Sequence, residues 1–120
     1  MKVAITSEGP DMNSGVDARF GRGRYFIVVD TDTGEFSAED NTQNLNAVQG
    51  AGIQAGRNVV DLGVEAVITG NVGPKAFATL EAGGVKIYIG ASGTVSDALD
   101  KFKAGELECV EKANVEGRWM

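Results

Sequence analysis

The hydrophobic period changes near residue 46, and that change restricts the fold more than any single motif does. Upstream, Lys2–Thr6 is a β-type segment and Tyr25–Asp30 (YFIVVD) is the aromatic and β-branched run of a mostly buried strand. Thr31-Asp32-Thr33-Gly34 is turn chemistry, which lets Glu35–Glu39 return as an antiparallel partner. Downstream, Val48, Ala51, Ala55, Val59 and Leu62 recur at steps of three and four, placing them on one helical face that Gly63 terminates. Gly52 and Gly56 stand one turn apart on that helix; each costs roughly 1 kcal/mol of helix propensity, so close packing against another element is the expected compensation.

From there strands and helices alternate. Glu65–Thr69 (EAVIT) is a short apolar strand, and Pro74 suits the first turn of a helix that carries Phe77 and Leu80 and ends at Gly83-Gly84. Val85–Ile89 (VKIYI) is the next strand. Thr94, with Asp97 three residues on, caps a helix whose apolar face is Val95, Ala98, Leu99 and Phe102 and which Gly105 closes. Residues 106–120 have no clear period and are expected to form a short strand or a loosely docked tail. The order βββαβαβα calls for parallel pairing with right-handed crossovers. The expected fold is α/β: a mixed five-stranded sheet, order 3-2-1-4-5, with helices on both faces, similar to a ribonuclease H-like architecture. At 120 residues the chain is read as one domain, residues 1–107, followed by a tail, 108–120.

Composition removes most catalytic chemistries. There is no histidine, which excludes Ser-His-Asp and Cys-His catalysis and imidazole metal sites. With one cysteine, a four-thiolate zinc or iron–sulfur site cannot be built within the chain. Cys109, among Glu106, Glu108 and Glu111, reads as an inert thiol. A net charge of −6 argues against a nucleic-acid partner, and no apolar stretch approaches the length of a membrane span. The opening MKVAITSEGP lacks the apolar region of a secretory signal, so a cytoplasmic location is expected.

In an open α/β sheet ligands settle beyond the carboxyl ends of the parallel strands, which singles out loops 7–24, 70–75 and 90–94. All three are rich in glycine. The first holds Arg19-Phe20-Gly21-Arg22-Gly23-Arg24, three of eleven cationic side chains within six residues of an acidic chain. Gly70-Asn71-Val72-Gly73-Pro74-Lys75 brings a helix N-terminus and an ammonium, and Gly90–Thr94, with Ser92 and Gly93, brings a second helix N-terminus. Together they describe an anion receptor. Charge-assisted hydrogen bonds contribute about 1.5–3 kcal/mol each, so several hold a multiply charged guest without a covalent bond. For any one arginine the plainer reading is a surface pair with a carboxylate such as Asp17; the triplet with both Gly-rich loops favours the receptor. Walker A spacing is absent, and the strands lack the clustered carboxylates of a two-metal nuclease.

These loops carry a resemblance. MKVAITSEG, ARFGRGRYFIVVDTDTGE, NLNAVQGAGIQAGRNVVDLGVEAVITG, NVGPKAFATLEAGGVKIYIG and TVSDALDKFKAGEL together resemble the dinitrogenase iron–molybdenum cofactor-binding family over residues 1 to about 107. The resemblance implies a ribonuclease H-like fold and noncatalytic binding of a molybdenum-containing sulfide cluster. The nitrogenase carriers have His-Phe-Gly where this chain has Arg19-Phe20-Gly21, so imidazole ligation is impossible here. That departure favours the orange-protein branch, which carries a molybdenum–copper sulfide cluster noncovalently, over an iron–molybdenum cofactor-like guest.

Sulfide already fills the metal coordination sites of such a cluster, so the protein supplies charge, amide donors and an apolar wall. Arg19, Arg22, Arg24 and Lys75 are the candidate cations. Gly21, Asn71, Gly73, Ser92, Gly93 and Thr94 supply the loop backbone, with the amides of Gly73 and Gly93 directed at sulfide; Phe20 or Val72 excludes water, simple packing being the other reading of Phe20. The expected function is carrying, storing or delivering the cluster, with a recipient or assembly protein as second partner, and not catalysis. Two alternatives use the same rim: a phosphotransfer or hydrolytic enzyme, and a protein-interaction module.

Overall fold

The computed structural model describes residues 1–41 and 51–110; Val48, on the expected helical face, and Trp119 lie outside them. Six strands form one mixed sheet: β1 (Lys2–Ser7), β2 (Tyr25–Asp30), β3 (Phe36–Asp40), β4 (Ala66–Ile68), β5 (Lys86–Ile89) and β6 (Glu108–Cys109), in the order β3-β2-β1-β4-β5-β6. Strand β1 pairs antiparallel with β2 and parallel with β4, β4 pairs parallel with β5, and β5 pairs antiparallel with β6. The five strands expected from the sequence are therefore corrected to six. The added one is two residues long and owes its place to pairing, Cys109 opposite Tyr88 and Glu108 opposite Ile89.

Alternation along the strands divides the core into two layers. Ala4, Phe26, Val67 and Ile87 face α1 (Ala51–Asp61) and α2 (Pro74–Ala82) and pack with Ala55, Val59, Ala76 and Leu80. Val3, Ile5, Ala66 and Ile68 face the other way and pack with Val95, Ala98 and Leu99 of α3 (Val95–Lys103). Tyr88 and Phe102 meet edge to face at the margin of that second layer, ring centroids 4.9 Å apart.

The helix signals in the sequence have physical counterparts. Pro74 occupies the first position of α2, where its missing N–H costs nothing. Thr94 and Asp97 form a reciprocal capping box at the start of α3. Gly56 supplies the close approach: a β-carbon there would stand 3.0 Å from Cγ2 of Thr79, so α1 and α2 come together where one side chain is missing.

Candidate functional site

The carboxyl ends of β1, β4 and β5 open on one edge of the sheet, and residues 8–24 lie across that edge as a saddle. Met12 and Val16 pack against the α3 layer, whereas Phe20, in a 3-10 turn over Phe20–Arg22, is wholly buried in the α1–α2 layer, its ring centroid 5.4 Å from that of Phe26. Backbone bonds fasten the saddle on both sides. Val16 donates to the Gly93 carbonyl at 2.9 Å, and Gly15 forms a bridge with Thr94. Asn71 donates to the Ala18 carbonyl at 2.7 Å, and Arg19 forms a parallel bridge with Asn71.

The two helix N-termini fare differently. At α3, the Thr94 amide donates to Asp97 Oδ2, Asp97 returns a bond to Thr94 Oγ1, and Val95 and Ser96 donate to the carbonyls of Ser14 and Met12. All four amides are spent within the protein, so α3 offers no first-turn donor to a guest. The Asp97 carboxyl is held below its ordinary range, first by the Thr94 amide and then by the Thr94 hydroxyl. At α2, Gly73 takes the N-cap position in extended conformation and, lacking a side chain, supplies no cap of its own. The helices also sit on opposite layers, so their starts straddle the sheet edge instead of meeting on one side of it.

Each candidate residue can be placed on this frame. Arg19 is exposed; its Nε stands 3.8 Å from Asp17 Oδ1, which also accepts the Arg19 amide at 2.9 Å. Its guanidinium side chain keeps 55% exposure, so the pair is a weak surface contact. Arg22 is half-buried, and its amide closes the 3-10 turn onto the Arg19 carbonyl. Arg24 is exposed at the start of β2, on the same edge but toward β3, where its carbonyl accepts the Asn41 amide. Lys75 is exposed in the first turn of α2; Gly21 and Gly73 are buried, and Asn71 is half-buried. Ser92 and Gly93 are exposed, Gly93 at φ +79°, and Thr94 is half-buried at its cap. Phe20 and Val72 have no exposed surface: both belong to the α1–α2 core, so in this structure neither presents a wall to a guest. The backbone thus brings Arg19, Asn71, Gly93 and Thr94 under one loop, while Arg24 stands to the side.

Two polar side chains absent from these expectations lie at the same edge. Thr6 and Thr69 are buried, and neither hydroxyl has a hydrogen-bond partner among the described residues. The signal was in the sequence: Val3-Ala4-Ile5-Thr6 and Ala66-Val67-Ile68-Thr69 are two apolar strands that each finish on Ile-Thr. Among the described residues, no three Asp, Glu or Cys side chains gather to hold a bare metal ion, and no helix is long and apolar enough to cross a membrane.

Comparison with known proteins adds an independent line. The family model described as dinitrogenase iron-molybdenum cofactor matches residues 1–105. The apo form of the orange protein from Desulfovibrio gigas superposes with a TM-score of 0.92 at 36% identity, covering 95% of this chain and 96% of that one. A NifB-type protein of the DUF35 family from Thermotoga superposes with a TM-score of 0.84 at 42% identity, over 97% of this chain and 98% of the other. An uncharacterised protein of Methanocaldococcus jannaschii is 28% identical over 113 residues, 92% of each chain.

Proposed function

Because the chain belongs to the dinitrogenase iron-molybdenum cofactor family, we propose that it is a noncatalytic carrier that holds a pre-assembled, anionic metal–sulfide cluster at the carboxyl edge of its sheet. The observation that carries this reading is the bridge between Arg19 and Asn71, which sets the arginine turn beside the start of α2 at Gly73. A chain with no histidine and one cysteine has no imidazole and almost no thiolate to give a soft metal. It does have guanidinium groups and amides, which grip sulfide that is already bound to metal.

Within this reading Arg19, Arg22, Arg24 and Lys75 supply charge. Amides along Gly21, Asn71 and Gly73 supply directed donors on the α2 side, and Ser92, Gly93 and Thr94 form the opposite lip. Phe20 and Val72 act from beneath, as packing that fixes the turn. The guest we assign is a molybdenum–copper sulfide cluster, the likeness to the orange protein and Arg19 in place of an imidazole both favouring it over an iron–molybdenum cofactor. Residues 1–107 are the cofactor-binding unit, of ribonuclease H-like type, and the tail that starts at 108 adds strand β6 to its sheet; the protein works in the cytoplasm and passes its cluster to a recipient or assembly protein.

Anaerobic incubation of metal-free protein with thiomolybdate and copper(I), then desalting, absorption spectroscopy and elemental analysis, tests the assignment. Molybdenum and copper are expected to elute with the protein at a fixed ratio. Retention of neither this mixture nor iron–molybdenum cofactor, with tight binding of a phosphate ester, would instead identify an enzyme that uses the same rim.

A further inference from the structure

One end of the arginine turn is held by Asn41, a residue outside the three loops of the rim. Tyr25 stands opposite Asp40 in the antiparallel pairing of β2 and β3, and one step further the same register sets Arg24 opposite Asn41. The Asn41 amide donates to the Arg24 carbonyl at 2.8 Å, and the Asn41 side-chain Nδ2 donates to the Gly23 carbonyl at 2.7 Å. The side chain thus serves as one more rung of the ladder, where the strand itself has ended. Asn41 is only 1% exposed. A buried side-chain amide is unfavourable unless it is bonded, and this one donates to the residue that lies between Arg22 and Arg24.

Gly23 is confined from the other side as well: it is buried, and a β-carbon there would run into Cγ2 of Thr6. The backbone that joins the two arginines is therefore gripped between β1 and Asn41, while the Arg24 side chain stays exposed. We propose that Asn41 is a positioning residue for the anionic guest: it acts by fixing the backbone from which Arg22 and Arg24 present their charge, and itself makes no contact with the guest. This rests on the carrier reading and adds to it a residue outside the rim. Cations on a fixed backbone meet an anion without first giving up the freedom of a loose loop, so what Asn41 contributes is preorganisation.

The test loads the metal-free chain with thiomolybdate and copper(I) by equilibrium dialysis at low salt, which keeps weak binding measurable, and well below the melting temperature of each variant. Asn41→Ala should bind molybdenum about three- to tenfold more weakly, the equivalent of one net hydrogen bond. In an Arg22→Ala/Arg24→Ala background the same change should make no further difference, because the side chains it acts through are gone. A purely structural role would weaken binding equally in both backgrounds. In the parent, the Asn41 side-chain amide signals in nitrogen-15 NMR spectra should shift on loading together with the backbone amides of Arg22 to Arg24, a readout that needs no variant to fold. Parent-like binding by Asn41→Ala, an undiminished loss in the double-arginine background, or Asn41 signals unmoved at full loading would each overturn the proposal and leave the carrier reading intact. If the parent binds neither molybdenum nor copper, the carrier reading falls and this proposal with it.

Discussion

Gly70 lies directly beneath Ala18: a β-carbon added to it would come 2.7 Å from Ala18 Cα and 2.9 Å from the Ala18 carbonyl oxygen. That oxygen accepts the neighbouring Asn71 amide at 2.7 Å. The missing side chain is what allows the saddle to touch the strand β4 edge, and the obstruction would be backbone, which cannot rotate away.

Replacing Gly70 by Ala should therefore lift residues 18–19 from the sheet edge and destabilise the fold by about 1–3 kcal/mol, the usual range for overpacking. Urea denaturation gives the magnitude. Hydrogen exchange should show the Asn71 amide losing protection before the amides of β1 do.

Phe20 is a core residue that happens to sit inside the arginine turn. Phe20→Ala is expected to cost about 3–5 kcal/mol, because it empties a fully buried site against Phe26. Thermal unfolding of the metal-free protein should show the whole loss; a variant that melts like the parent would mean that the ring is not packed as described.

The arginines should behave in the opposite way. Arg19 and Arg24 are exposed, and the Arg19–Asp17 pair is a surface contact, so Arg19→Ala/Arg24→Ala should shift stability by less than about 1 kcal/mol. Cluster retention by the same variant should fall, and retention by the parent should weaken as salt shortens the Debye length toward a few ångströms. Equal retention by parent and variant would remove these two side chains from the site.

Capping of α3 predicts a pH dependence. Asp97 titrates below its ordinary value in the folded protein, chiefly because the Thr94 amide donates to it. The stability it contributes is thus present above the unfolded carboxyl value, about 4, and is lost as pH falls through the lower folded value. The urea midpoints of the parent and Asp97→Asn should differ at neutral pH and converge in strong acid. Thr94→Ala, which removes the other half of the box, should cost about 1 kcal/mol at neutral pH.

Much of this architecture could be read from residues that act locally. Tyr25–Asp30 was legible as a strand because β-branched and aromatic side chains fill it, and α3 because Thr94, Asp97 and Gly105 mark its ends. For residues 106–120 a short strand and a docked tail were equally legible, and the sheet was counted without it: two residues carry no period, and only Tyr88 and Ile89 across the sheet define Glu108–Cys109 as the sixth strand. The three loops could be assigned to one edge from strand direction alone. What escaped was the use of their backbone groups. Nothing in Ser92-Gly93-Thr94 announces that Met12 and Ser14, some eighty residues earlier, will take the amides that open α3. Phe20 could be read either as a ligand cover or as a packed ring, and the 3-10 turn that directs it inward decides for packing.

The saddle's anchorage also limits how such a protein can vary. Adding or deleting a residue between positions 12 and 18 would throw the carbonyls of Met12, Ser14 and Ala18 out of step with Ser96, Val95 and Asn71 at once. Lengthening this segment would therefore undo the start of a helix before it reshaped a cavity. On the carrier reading, a change of cargo would be left to side-chain exchange at positions 19, 22 and 24, where a swap disturbs no backbone donor.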